Sequence, residues 1–331
     1  MTGQATFVRR ATGLVFSLVL SGLVLQAHAA GEGSDILKQV QQAARTLDYA
    51  GVFAYQQGDV IESSLIVHQF DGKDEKERVE LLNGTPREYI RLNQEVLSLI
   101  PEEKTILREK QRTDRFPALL LANEQALDKN YSIRALSKSL RVAGRNCDLV
   151  DAAAKDAHRY SYRLCVDSQT KLLLKAQTVN HHGVVIEQVA FTQISIGAEM
   201  SSAMLAPSWP TEGWTQIDVP EKVVDLKAQG WQVVAPPGYE ISAQIVREFS
   251  KKRQVHQMVL SDGLATISIF IEPYSNERSE YKPQGAAQMG SVNIYGVKVA
   301  NFWLTVLGEV PAATLEQLAQ SIQYVTATGQ K

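Results

Sequence analysis

Between Tyr49 and Lys110 apolar and polar residues alternate in short runs, each closed by a turn signal. YAGVFAYQ, VIESSLIVHQF, EKERVELL, REYIRL, EVLSLI and KTILREK are separated by QGD, DGKD, NGTP, NQ and PEE. Side chains of a strand point to opposite faces with a period of two, and turn residues at this spacing join neighbouring strands as hairpins. The pattern predicts an antiparallel meander rather than strands alternating with helices. A second set follows in SLRVAG, NCDLV, YSYRLCV, KLLLKAQTV and VVIEQVAFTQISI. Beyond Gly213 a third set contains VHQMVL, ATISIFIE and VNIYGVKVANFWLTVLGEV.

Three stretches break the alternation with helical spacing. Ser34 is placed to cap a helix running to about Leu47, with Ile36, Leu37, Val40, Ala43, Ala44 and Leu47 on one face. FPALLLANEQALDKNY, from Phe116 to Tyr131, reads as a helix or lid against the sheet, and Leu119, Leu120 and Leu121 serve either core packing or an apolar inner surface. Near the end Pro311 precedes a Thr314-to-Gln317 capping box and a stripe of Leu315, Leu318, Ala319, Ile322 and Val325. GAEMSSAMLAPSWPTEG is small, polar and proline-bearing, as linkers are. The expected fold is mainly antiparallel β with helices, an α+β chain with a first unit at 30–197, a linker at 198–213 and a smaller unit at 214–331.

The N-terminus carries Arg9 and Arg10, the 15-residue run ATGLVFSLVLSGLVL and an Ala27-His28-Ala29 site. These are the parts of a secretory signal peptide over 1–29, and the run is too short to span a bilayer. The 302 residues that remain hold 32 basic and 36 acidic side chains, net −4. A chain of that balance lacks the basic excess that nucleic acid requires. Export also permits a disulfide. A turn centred on Asp156 would set Cys147 opposite Cys165, leaving either a disulfide or two buried thiols. Without a CxxC pair, redox chemistry is not expected.

Candidate chemistry is sparse. Ser261-Asp262-Gly263 follows His256, but a three-residue hairpin there would pair His256 with Ser268 and leave it roughly 16 Å along the strand from Ser261. A base must lie within about 3 Å of its nucleophile. Asn180-His181-His182-Gly183 reads as a turn rather than a zinc site, and no GxSxG, P-loop, GxGxxG or HExxH occurs. No catalytic, metal or cofactor site is expected.

Several strings carry a resemblance to a known family: YAGVFAYQQG, LLNGTPREYIR, RYSYRLCVDSQTKLLL, APPGYE, QMVLSDGLATISIFIE and LTVLGEVPAATLEQLAQSI. In this order the chain resembles the RseB/MucB regulators of the envelope-stress sigma factor. It departs from their pattern at Cys165, where tryptophan is expected, and in the extra-looking DVPEKVVDLKAQG. The resemblance implies a LolA/LolB-like half-barrel that senses lipid, followed by a smaller α+β unit. It further implies a periplasmic protein that binds the periplasmic segment of an RseA/MucA-like anti-sigma factor. That protein would shield the segment from site-1 proteolysis and release it on meeting lipopolysaccharide or mislocalised lipid. The alternative is a LolA-type lipid or lipoprotein carrier, and a homodimer is left open. From alternation, the lipid-facing positions are Phe53, Tyr55, Leu65, Val67, Leu97 and Leu99, with Leu119 to Leu121 as the lid.

Overall fold

The computed structural model describes residues 29–110, 116–117, 124–198, 201–250, 253–276 and 284–325. The predicted lid leucines, Leu119 to Leu121, and most of the signal peptide lie outside these residues. Helix α1 (Ala29–Thr46) leads into β1 (Tyr49–Gln57), β2 (Val60–Phe70), β3 (Glu75–Leu81), β4 (Glu88–Leu92), β5 (Glu95–Ile100) and β6 (Thr105–Lys110). After α2 (Glu124–Asn130) come β7 (Tyr131–Val142), β8 (Arg145–Ala154), β9 (Ser161–Asp167), β10 (Leu173–Val179), β11 (Val185–Ile196) and β12 (Thr215–Asp218). These twelve strands form one open sheet in the order β12-β6-β5-β4-β3-β2-β1-β11-β10-β9-β8-β7. All pairings are antiparallel except β12 with β6. The expected meander is present, and the open sheet suits a half-barrel.

Helix α1 buries Leu37, Val40, Ala43 and Ala44, as its spacing predicts. It begins at Ala29, however, so Ser34 lies inside the helix instead of capping it.

The remaining strands are β13 (Glu221–Val223), β14 (Trp231–Gln232), β15 (Glu240–Ser250), β16 (Arg253–Ser261), β17 (Thr266–Pro273), β18 (Gly285–Met289), β19 (Val292–Val299), β20 (Phe302–Gly308) and β21 (Gln323–Tyr324). Seven of them build a second sheet, β13-β15-β16-β17-β20-β19-β18, covered by α3 (Ala312–Ser321) and the short β14-β21 pair. Ala265, Ile267, Ile269 and Ile271 are all buried in its core, as their alternation predicts. Each isoleucine so buried is worth about 1.5–3 kcal/mol. Pro311 is the residue before α3, so Thr314 is a buried helical position, not a cap, and Val325 is exposed beyond the stripe.

The DVPEKVVDLKAQG stretch connects the sheets. It follows β12, which seals the β6 edge of the first sheet, supplies β13 to the second, and buries Leu226 in the second core. The polar segment before it is packed as well. Ser208 donates its amide to Glu88, and Arg78, paired with Glu88 and Glu80, donates to Ser208 and to the Met204 carbonyl.

Cys147 and Cys165 form a disulfide. The strands slide two residues from the expected register, pairing Cys147 with Asp167 and Leu149 with Cys165. A slip of two keeps both cysteines on one face, so the bridge closes diagonally across a Cα–Cα distance of 5.4 Å.

Candidate functional site

Strands β1 to β6 pair without a register shift among themselves, which fixes the face of every side chain on them. Tyr49, Phe53 and Tyr55 share a face with Ser64, Ile66 and His68. This is the face toward α1: Tyr49 donates its hydroxyl to the Ala44 carbonyl, and Ala44, Tyr49 and Ile66 are buried in one cluster. Leu65, Val67, Leu97 and Leu99 lie on the opposite face, in line with Arg78, Glu88 and Ile90. They therefore cannot line a pocket with Phe53. Val67 and Leu99 are buried beside the Arg78–Glu88 pair, under which the segment of Met204 and Ser208 is tied down.

The α1-facing side offers a different lining. Phe53, Phe116 and Phe191 cluster at centroid distances of 5.1–6.2 Å, Phe53 edge-on to Phe191 and Phe116 tilted against both, and Phe53 and Phe116 are half-buried. From there Ile66, Val79, Tyr89, Ser98 and Leu107 follow one another across five strands in one row. Val79, Tyr89 and Leu107 retain partial exposure. Such a mostly apolar row with a few hydroxyls has the composition of an apolar ligand site.

Tyr55 does something else. Its hydroxyl donates to Glu187 Oε2 at 2.8 Å and lies 3.0 Å from Ser291 Oγ of the second unit. Thr178 also donates to Glu187, and Ser291 to Glu309. Burial foremost, then the Glu187 and Glu309 charges, raise the Tyr55 hydroxyl to about 12 against the pull of Ser291. Burial and Glu187 push the Glu309 carboxyl up to about 7. Glu309 as a whole residue is exposed, but its carboxyl end is the part crowded against Ser291 and Glu187, and that local crowding governs its proton.

A second bridge between the units is fully buried. Asp262, with no exposed surface, accepts from Arg159 Nη1 at 2.5 Å and from the Tyr131 hydroxyl at 2.8 Å. Its other oxygen takes the amides of Leu264 and Ala265, which shapes the turn. Asn130 donates to the carbonyls of Gly238 and Asp262, Arg159 donates to the Pro237 carbonyl, and the Arg159 guanidinium lies over the Tyr239 ring at 4.9 Å. Burial drives the Tyr131 and Tyr239 hydroxyls well above their usual range, so both stay protonated. Gly238 has φ +78°, and a Cβ there would strike Asn130 Oδ1 and Arg159 Nη2. Sequence reasoning singled out the strings RYSYRL, APPGYE and SDGL but not that Arg159, Gly238 and Asp262 within them meet.

The Ser261–His256 couple does not form. The turn is longer by one residue than expected, Ser261 pairs with Thr266, and His256 faces Ile271 instead of Ser268. Ser261 Oγ donates to the Ala265 carbonyl and accepts the Gly263 amide, so it is engaged in the turn. Asn180 closes the His181-His182 turn by accepting the amides of His182 and Val184. Among the described residues no three His, Cys, Asp or Glu side chains gather as a metal site, and no helix is long and apolar enough to cross a membrane.

Comparison with known proteins follows the same two-part division. The profile of the MucB/RseB N-terminal domain matches residues 32–209, and that of the MucB/RseB C-terminal domain matches 225–323. The Pseudomonas aeruginosa sigma factor AlgU regulatory protein MucB is 28% identical over 327 residues, covering 95% of this chain and 98% of its own. The Salmonella typhimurium sigma-E factor regulatory protein RseB is 25% identical over 320 residues, covering 93% and 96%. Among solved structures, the Pseudomonas aeruginosa MucA/MucB complex superposes with a TM-score of 0.68 at 25% identity, over 89% of this chain and all of that one.

Proposed function

The chain belongs to the MucB/RseB family, and on that premise we propose that it is a periplasmic regulator of an envelope-stress sigma factor. It binds the periplasmic segment of a membrane anti-sigma factor, shields that segment from site-1 proteolysis, and lets go when lipopolysaccharide or mislocalised lipid occupies the first unit. The observation that carries this reading is the match of both family profiles, in order, along a chain with the fold of the MucA/MucB complex. Regulation then rests on binding rather than catalysis, in keeping with relatives that are regulatory proteins. A ligand shifts such an equilibrium only by its differential affinity for the free and bound forms. The row from Phe53 and Phe191 through Val79, Tyr89 and Leu107 is the surface on which acyl chains would act. The second unit, held at Asp262 and Ser291, contributes to anti-sigma binding.

The test is a pull-down of the mature chain with the periplasmic segment of the anti-sigma factor from the same organism, followed by cleavage with the site-1 protease. Binding and slowed cleavage are expected, with cleavage restored by lipopolysaccharide. Unchanged cleavage in the presence of saturating chain would overturn the reading.

A further inference from the structure

The two edges of the twelve-stranded sheet are treated differently. At one end the edge strand is β12, only four residues long and paired on its inner side with β6. At the other, β7 pairs only with β8, and from Arg134 to Arg141 every residue is exposed. An open strand of this length presents a row of main-chain donors and acceptors to any partner.

Its side chains are selective about which partner. Arg134, Leu136, Lys138 and Leu140 recur at every second position, and Arg141 follows. The nearest carboxylates are already taken: Asp151, directly opposite Arg134, pairs with Arg163; Asp148 holds Lys171 and Ser168; Asp167 holds Arg145. The β8-β9 pairs thus consume the local negative charge, and none of the three β7 cations forms an ion pair among the described residues. Three unmatched cations within eight residues stand out on a mature chain of net charge −4.

We propose that β7 is the docking edge for an extended, acidic peptide segment, laid alongside Arg134 to Arg141 with carboxylates facing the cations and apolar side chains facing Leu136 and Leu140. Strand addition of this kind takes affinity from main-chain hydrogen bonds and specificity from alternate side chains. Between Ala135 and Ser139 the β7 register shifts against β8. Regular pairing with a guest therefore falls on the flanks of that bulge, and the cations set its register. An anionic membrane surface would satisfy the charges but not the unpaired strand edge, so a peptide is favoured. The inference rests on the anti-sigma-binding reading above, with the guest a part of that periplasmic segment.

The experiment compares the mature chain with the triple variant Arg134→Glu/Lys138→Glu/Arg141→Glu and with Leu136→Ser/Leu140→Ser. Titration uses the periplasmic anti-sigma segment at low and high salt, and phosphatidylglycerol vesicles in parallel. Unchanged melting temperatures establish that the exposed substitutions leave the fold intact. At least a tenfold loss of peptide affinity in the triple variant, with a flattened salt dependence, and a smaller loss in the leucine variant are expected. Wild-type affinity in both variants would overturn the docking edge while leaving the regulatory reading in place. No binding by the unaltered chain would overturn that reading itself. Loss of vesicle binding alone would reassign the edge to a membrane surface, and self-association alone would make the cations an anti-aggregation device.

Discussion

Asp262 receives a guanidinium, a phenol and two amides without any exposed surface, so its removal leaves the buried Arg159 with the partly exposed Asp156 as its one remaining carboxylate among the described residues. Breaking a buried pair from one side costs about 3–5 kcal/mol. With Asp156 still paired to Arg159, Asp262→Ala is expected to lower the unfolding free energy measured in urea by up to that amount, and Asp262→Asn, which keeps an acceptor, by less. Ser261→Ala removes two turn hydrogen bonds, together about 1–3 kcal/mol, and is expected to leave partner binding unchanged in the pull-down. A folded Ser261→Ala chain that lost all function would revive a catalytic role. None of this node was legible from local sequence, because its members come from three distant strings. What could be read was the turn chemistry of Ser-Asp-Gly; its burial could not.

At the level of elements, alternation identifies strands but not their relative phase. Within β2 or β5 the positions of Leu65, Val67, Leu97 and Leu99 alternate as a lining should, yet pairing places them away from Phe53. A strand shifted by one residue presents its other face, and nothing local fixes that shift. The lining proposed above makes a prediction. Phe53→Ser and Phe191→Ser should weaken fluorescent fatty-acid or lipopolysaccharide binding several-fold, whereas Leu65→Ser should not weaken it through direct contact. The cysteine pair survived a register error of two residues because an even shift preserves the face. Closing a loop across a sequence separation of 18 is worth about 2–4 kcal/mol, so Cys147→Ser/Cys165→Ser should melt earlier than the parent, and reductant should lower only the parent.

For the whole molecule, the polar bridge through Tyr55 and Ser291 responds to pH. The Glu309 carboxyl is raised from its ordinary 4.5 to about 7, so the folded state holds its proton more tightly than the unfolded chain. Its contribution to stability is complete below about pH 4.5 and is lost as pH rises through 7. His256, lowered by burial, works in the opposite direction, favouring the folded state as pH rises. Comparing the parent with Glu309→Gln separates them: the difference in melting temperature between the two should change between pH 4.5 and 7.5. A constant difference across that range would show that Glu309 does not titrate there. Glu75, drawn to about 2 by His68 and Arg91 against its burial, holds its contribution above its ordinary 4.5 and loses it as pH falls from there through 2, below this window.

The sequence by itself determined the elements, their antiparallel order, the helix stripe of α1, the buried alternation of Ala265 to Ile271 and the family resemblance. All of these follow from local periodicity, turn residues and contiguous strings. Only the tertiary structure decided which face of the first sheet packs toward α1, that the polar segment before β12 is packed against the other face, and that Arg159, Gly238 and Asp262 meet. Those outcomes depend on registers between strands and on contacts between residues a hundred positions apart, which local pattern does not encode.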